Sequence, residues 1–277
     1  MKNLIYFALS TLLGLLSCSR IEEQKKQMQR PDIVLYRVNN MGWQHTPAPF
    51  RDKKSSFDKR HHFKKVFDGK SLKGWQVYGK KEDIVKEYWK VENGSITCNT
   101  LKDKNHGAVW LFYEKELSDF ELKVKIQAYR NSPGNSGIQV RSAYNSETHD
   151  IDGPQIDIHP SGSFRNGLIY DESDGYNRWI YPDKPDWNVT EQEANNKSKF
   201  YFADDEIAWN DLHIICKGTK IKTILNGTVV SDFDGKGILD DEIHAEQGVG
   251  MEGKIALQVH ARDEILIRFK DIFLKEF

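Results

Sequence analysis

FELKVKIQA, residues 120–128, alternates apolar and polar side chains without a break. Leu122, Val124, Ile126 and Ala128 fall on one face of a strand, and Glu121, Lys123, Lys125 and Gln127 on the other. Successive strand side chains point to opposite faces, so this is a strand with one dry and one wet side. The same period recurs in both directions along the chain. IQVRSAY, PQIDIHP, GLIYDE, NRWIYP, LHIICKG, KIALQVHA and EILIRFKDIFLKEF each read as strand. TKIKTILNGTVVSDF carries Asn226-Gly227 between two β-rich runs, and VENGSITCN carries Asn93-Gly94. Asn-Gly is the favoured pair for a two-residue hairpin turn. About a dozen short strands result, with no long helical period and no internal repeat. The expected fold is all-β, a jelly-roll sandwich of antiparallel sheets.

The chain has 277 residues, with 40 Lys+Arg against 41 Asp+Glu. That near-neutral balance gives no reason to expect a nucleic-acid partner. No G-x-G-x-x-G dinucleotide fingerprint is present. The N-terminus, MKNLIYFALSTLLGLLSCSR, has a lysine followed by an apolar run too short to span a bilayer comfortably. It reads as a signal peptide over residues 1–17, and Leu15-Leu16-Ser17-Cys18 resembles a bacterial lipoprotein cleavage site. Lipidation of Cys18 would anchor the protein in the cell envelope, with the outer membrane favoured by Ser19. Residues 18–62 are charged and Pro-containing without a period, and read as a lipidated tether. The globular domain is expected over 63–277. Within the tether, the His61–His62 pair reads as solvated. Cys98 and Cys216 sit in apolar strand contexts, compatible with a disulfide or with two buried thiols.

Three segments concentrate polar groups. In GPQIDIHP, residues 153–160, Gln155, Asp157 and His159 share a face about 7 Å apart, opposite Ile156 and Ile158. In GLIYDE, Tyr170 and Glu172 share a face. In LQVHARD, Gln258 and His260 do. NSGIQVRS adds Gln139 and Arg141, whose alternation places them together. The Gln-x-Asp-x-His row has the spacing of the Glu-x-Asp-x-Glu strand of laminarinase-type glucanases, but Gln155 can neither attack nor ionise. A conventional glycosidase needs two suitably spaced carboxyl groups. Only a pairing of Asp157 with Glu172 across strands would supply them.

Taken in order, VFDGKSLKGWQ, YWKVENGSI, DFELKVKIQA, NSGIQVRS, GPQIDIHP, GLIYDE, WNDLHIICKGTKIKTILNG and the closing GKIALQVHA with IRFKDIFLKE resemble the 3-keto-disaccharide hydrolase domain family. That family is common in envelope enzymes of Bacteroidetes and Planctomycetes. The resemblance implies a concanavalin-like jelly roll acting on glycosides already oxidised to a ketone at C3. It also implies that a separate sugar 3-oxidoreductase supplies the substrate. A C3 ketone acidifies the C2 proton, so the bond at C1 can break by elimination, followed by hydration. Such chemistry asks for a base, an acid and a donor to the ketone oxygen. On this resemblance Asp157 or His260 would be the base, Glu172 the acid and Arg141 the polarising cation. Gln155, Asn135 and Tyr170 would contact the sugar, with Trp179 stacking on a second sugar or aglycone. A divalent metal held by Asp157, His159 and His260 is left open. The competing readings are a conventional β-glucan hydrolase and a non-catalytic carbohydrate-binding lipoprotein.

Overall fold

The structure is a computed structural model and describes residues 63–205 and 208–277. The apolar N-terminal segment, Cys18, the 18–62 tether and the His61–His62 pair lie outside the described residues. Among the described residues no helix is long and apolar enough to cross a membrane.

The strands expected from the alternation form two antiparallel sheets. One runs β14-β13-β12-β6-β16-β4-β3, with β1 on β16. Its members are β1 (Lys64–Lys65), β3 (Trp89–Glu92), β4 (Ser95–Asn99), β6 (Phe120–Ala128), β12 (Asn210–Lys217), β13 (Lys220–Leu225), β14 (Thr228–Asp234) and β16 (Leu266–Glu276). The other runs β11-β10-β9-β7-β15-β5-β2, with β8 on β7. It holds β2 (Trp75–Gly79), β5 (Val109–Leu117), β7 (Ser136–Asn145), β8 (Asp150–Asp152), β9 (Pro154–Ile158), β10 (Ile169–Asp171), β11 (Arg178–Tyr181) and β15 (Gly253–Val259). Among the described residues the helices are short: α1 (Lys81–Ile84), α2 (Glu191–Ala194), α3 (Glu242–Gln247) and a 3-10 segment at Pro160–Arg165. This is the jelly-roll sandwich that the alternation predicts.

Both hairpin turns form as their sequence demands. Asn93 and Gly94, and likewise Asn226 and Gly227, all have positive φ, the conformation a two-residue turn requires. In β6 the predicted dry face is buried, and Leu122, Val124 and Ile126 enter the core between the sheets. From the second sheet, Ile138, Val140, Ile156, Ile158, Leu257 and Val259 meet them. Burying apolar surface of this extent is the main stabilising contribution to the fold. Cys98 and Cys216 are two buried free thiols in different strands, and burial pushes both above the usual thiol range.

With every second residue of β7, β9, β10 and β15 committed to that core, the alternate residues must face outward from the second sheet. They create a polar row beside a smaller apolar cluster of Trp110, Phe112, Ile151 and Ala256.

Candidate active site on the outer face of the second sheet

Strand β9 sits between β7 and β10, and the register fixes who meets whom. Gly137 lies opposite Asp157, Gln139 opposite Gln155, and Tyr170 opposite Gln155 on the other side. Gln139 Nε2 donates to Gln155 Oε1 at 3.0 Å, and Ser142 Oγ donates to Gln139 Oε1 at 3.2 Å. The Gln155 carbonyl is thereby occupied, and its NH₂ is oriented as a donor. Gly137 is needed for space: a Cβ there would stand 2.3 Å from Gln155 Cδ.

Asp157 is 1% exposed. Arg165 Nε donates to its Oδ2 at 3.1 Å, and the Asn135 side chain hydrogen-bonds it as well. Burial nonetheless dominates and pushes the carboxyl up to about 6, against the opposing pull of Arg165. Glu172 follows β10, its backbone N–H donating to Gly153 O at 3.1 Å. Its Oε1 accepts from Gln258 Nε2 at 3.4 Å. Burial, then the Asp150 charge, pushes Glu172 up to about 7. Tyr170, half-buried, is pushed up to about 12 by burial and by Glu172. His260 Nδ1 lies 3.1 Å from Asp263 Oδ2, and that contact holds the imidazole above its ordinary value despite burial. Asp263 also accepts from the Asn135 backbone N–H at 2.8 Å, joining the β15 exit to the start of β7.

Asp157, Glu172, Gln155, Tyr170, Asn135 and His260 therefore converge on one face, linked by these bonds and by mutual electrostatic influence. Two expected members do not join them as expected. Arg141 has a φ of 52° and lies in a bulge: Lys254 faces Ser142, yet Ala256 faces Gln139. Two steps along β15 thus oppose three along β7, and the extra residue turns Arg141 away from the face carrying Gln139. Its guanidinium, 0% exposed, donates to Ser118 O at 2.5 Å, Gly218 O at 2.6 Å, Gly250 O at 3.2 Å and Asp119 Oδ1 at 2.9 Å. It ties three turns together and has no route to a sugar. The guanidinium at the site is that of Arg165, which the strand period could not reveal because it rides on the 3-10 segment after β9. Trp179 is also fully buried. Its edge packs on Tyr170 with ring centroids 5.0 Å apart, Arg165 lies over it at 5.0 Å, and its indole N–H donates to Trp187 O at 2.7 Å. It supports the site from below and offers no open ring face.

The three candidate metal ligands have defined surroundings. Ser161 Oγ donates to Pro133 O at 2.9 Å, so His159 Nε2, 2.9 Å from the same hydroxyl, must be the donor to it. His159 Nδ1 is buried without a partner and faces Gly162, while burial and Arg165 lower the ring to about 4. Asp157 accepts from Arg165 and Asn135, and His260 Nδ1 faces Asp263. Among the described residues no three His, Cys, Asp or Glu side chains gather as a metal-binding set. Asp157, His159 and His260 are not gathered as such a set.

The model of a family described as the 3-keto-alpha-glucoside-1,2-lyase-like domain matches residues 62–275. The chain belongs to this family. Membership identifies a carbohydrate-active protein, as the resemblance of its sequence phrases implies. Among solved structures, a Parabacteroides distasonis protein provisionally assigned as a glycosyl hydrolase is 21% identical, covering 78% of this chain and 99% of its own, with a TM-score of 0.49. A second from that organism is 18% identical, with 78% and 94% covered and a TM-score of 0.49. The carbohydrate-binding module CBM66 from Bacillus subtilis is 14% identical, with 73% and 96% covered and a TM-score of 0.46. Among curated protein sequences none matches. In this lyase-like chain, Arg165 and its link to Asp157 are the main addition of the structure to the site expected from sequence.

Proposed function

We propose that the protein cleaves 3-keto-glycosides by elimination across C1 and C2. The observation that carries this reading is a pair of carboxyl groups on one face whose proton affinities straddle near-neutral pH, with a guanidinium on the more acidic one. At a pH between about 6 and 7, Asp157 is mainly ionised and Glu172 mainly protonated, so one is a base and the other an acid. Asp157 removes the C2 proton, and the electron pair passes to the C3 oxygen as an enolate. Among the described residues the terminal nitrogens of Arg165 have no protein acceptor, which supports their role as the donors to that oxygen. Return of the electron pair re-forms the ketone, makes the C1–C2 double bond and breaks the C1–O bond. Glu172 gives its proton to the departing oxygen. Water then adds at C1 while the Glu172 carboxylate takes its proton, and C2 recovers a proton from Asp157. His260, held toward its cationic form by Asp263, serves better as a donor than as the base. Gln155 and Tyr170 orient sugar hydroxyls.

A substrate deuterated at C2 tests this path. Elimination slows the reaction through breakage of the C2–deuterium bond, and deuterium passes to solvent when Asp157 exchanges before returning a proton to C2. Ordinary hydrolysis, the second reading that two carboxyls support, retains the label. The oxidised substrate implies an oxidoreductase that converts a C3 hydroxyl to a ketone. The Cys18 phrase adds a lipid anchor in the cell envelope to this proposal, tested by fatty-acid labelling of the full chain and of Cys18→Ser.

A further inference from the structure

Beside Asp157 lies a cavity of about 490 Å³ whose walls include His159, Phe164, Arg165, Trp187, Asn188 and Val189. Arg165 belongs to both spaces: its Nε holds Asp157 and the same side chain lines the cavity. Trp187 is 64% exposed, among the most exposed large apolar side chains described. Its backbone, in contrast, is fixed. Trp187 O accepts from Trp179 Nε1 at 2.7 Å, Asn188 N–H donates to Asp186 Oδ1 at 2.7 Å, and Lys184 N–H donates to Trp179 O at 3.0 Å. Lys184 also pairs with Glu193 of α2, at whose N-terminus Thr190 and Glu193 form a reciprocal cap. An indole uncovered on a braced loop is preorganised for a flat apolar partner. The rest of the lining supplies hydrogen-bonding groups around that ring. A pyranose has this combination, with a C–H face for an aromatic ring and hydroxyls at its rim.

We infer that this cavity is a second-sugar subsite, with Trp187 as its stacking platform, so that the ligand extends at least one saccharide unit beyond the one at Asp157. This rests on the carbohydrate part of the proposed function but not on its chemistry. The subsite expected at Trp179 is thereby moved to Trp187.

The test is equilibrium binding of the wild-type protein, Trp187→Ala and Trp187→Phe to an array of unoxidised mono-, di- and oligosaccharides. The expected result is stronger retention of some longer glycans than of their monosaccharides. Trp187→Ala should lose that increment, about three- to tenfold, and Trp187→Phe should keep part of it. The side chain is exposed, so folding is preserved, and circular dichroism verifies it. Equal binding of one- and two-sugar ligands by the wild type, no binding of any, or an increment unchanged in Trp187→Ala overturns the inference. Sugar release is measured in parallel. Release from unoxidised glycans would refute the elimination chemistry and leave the Trp187 comparison intact.

Discussion

Replacing Asp157 by asparagine should stabilise the fold at neutral pH while abolishing turnover. The carboxyl is 1% exposed and its pKa rises from 3.8 to about 6 on folding, chiefly through burial. One unit corresponds to 1.36 kcal/mol, so holding Asp157 ionised costs the folded state about 3 kcal/mol above pH 6. The Arg165 ion pair is already inside that balance. The sign follows from proton counts. Between about pH 4 and 6 the folded protein binds a proton there that the unfolded chain has released, so stability from this group falls as pH rises. Asparagine resembles the protonated form and keeps an oxygen for Arg165 Nε. Urea unfolding at pH 7.5 should show the variant more stable by about 3 kcal/mol, or about 6–12 °C in Tm for a domain of this size. At pH 4 the two proteins should nearly coincide. A variant less stable at pH 7.5, or displaced equally at both pH values, would refute the reasoning.

Four further outcomes are expected. Turnover should follow a narrow bell, rising near pH 6 as Asp157 ionises and falling near pH 7 as Glu172 loses its proton, read from kcat/KM against pH. Arg141→Lys should cost roughly 3–5 kcal/mol by breaking a buried, four-acceptor fork, seen as a lower Tm, with kcat per folded molecule retained. Gly137→Ala should displace Gln155 and raise KM at a stability cost of roughly 1–3 kcal/mol, checked by kinetics and denaturation. His244 is buried, with Nδ1 2.8 Å from Asp241 Oδ1 and Nε2 3.4 Å from Asp171, and although burial opposes it these carboxylates raise its pKa. The associated stability is present below about pH 6.5 and is lost as pH rises through the folded pKa, so His244→Gln should destabilise most in acid, by roughly 3 kcal/mol in urea unfolding at pH 5.5.

The sheets were legible because alternation and Asn-Gly turns are local signals. Leu122, Val124 and Ile126, and Ile156 with Ile158, lie in the core as the period requires. Gln155, Asp157, Tyr170 and Glu172 share a face for the same reason. Arg141 was misplaced because a single bulge reverses the faces beyond it, and no residue type in VRS announces that bulge. Arg165 was hidden because a 3-10 segment carries it back over the strand before it. Trp187 was hidden because a ring left uncovered on a loop belongs to no period. Trp179 and Trp187 lie in the same short stretch, and only packing separates the buried support from the exposed platform.

The most direct test of the central claim is a paired turnover assay with a 3-keto-glucoside bearing a chromogenic leaving group and its unoxidised parent. The account predicts release from the keto compound alone, lost in both Asp157→Asn and Glu172→Gln. Release from the unoxidised parent at a comparable rate would contradict it and assign the two carboxyls to ordinary glycoside hydrolysis.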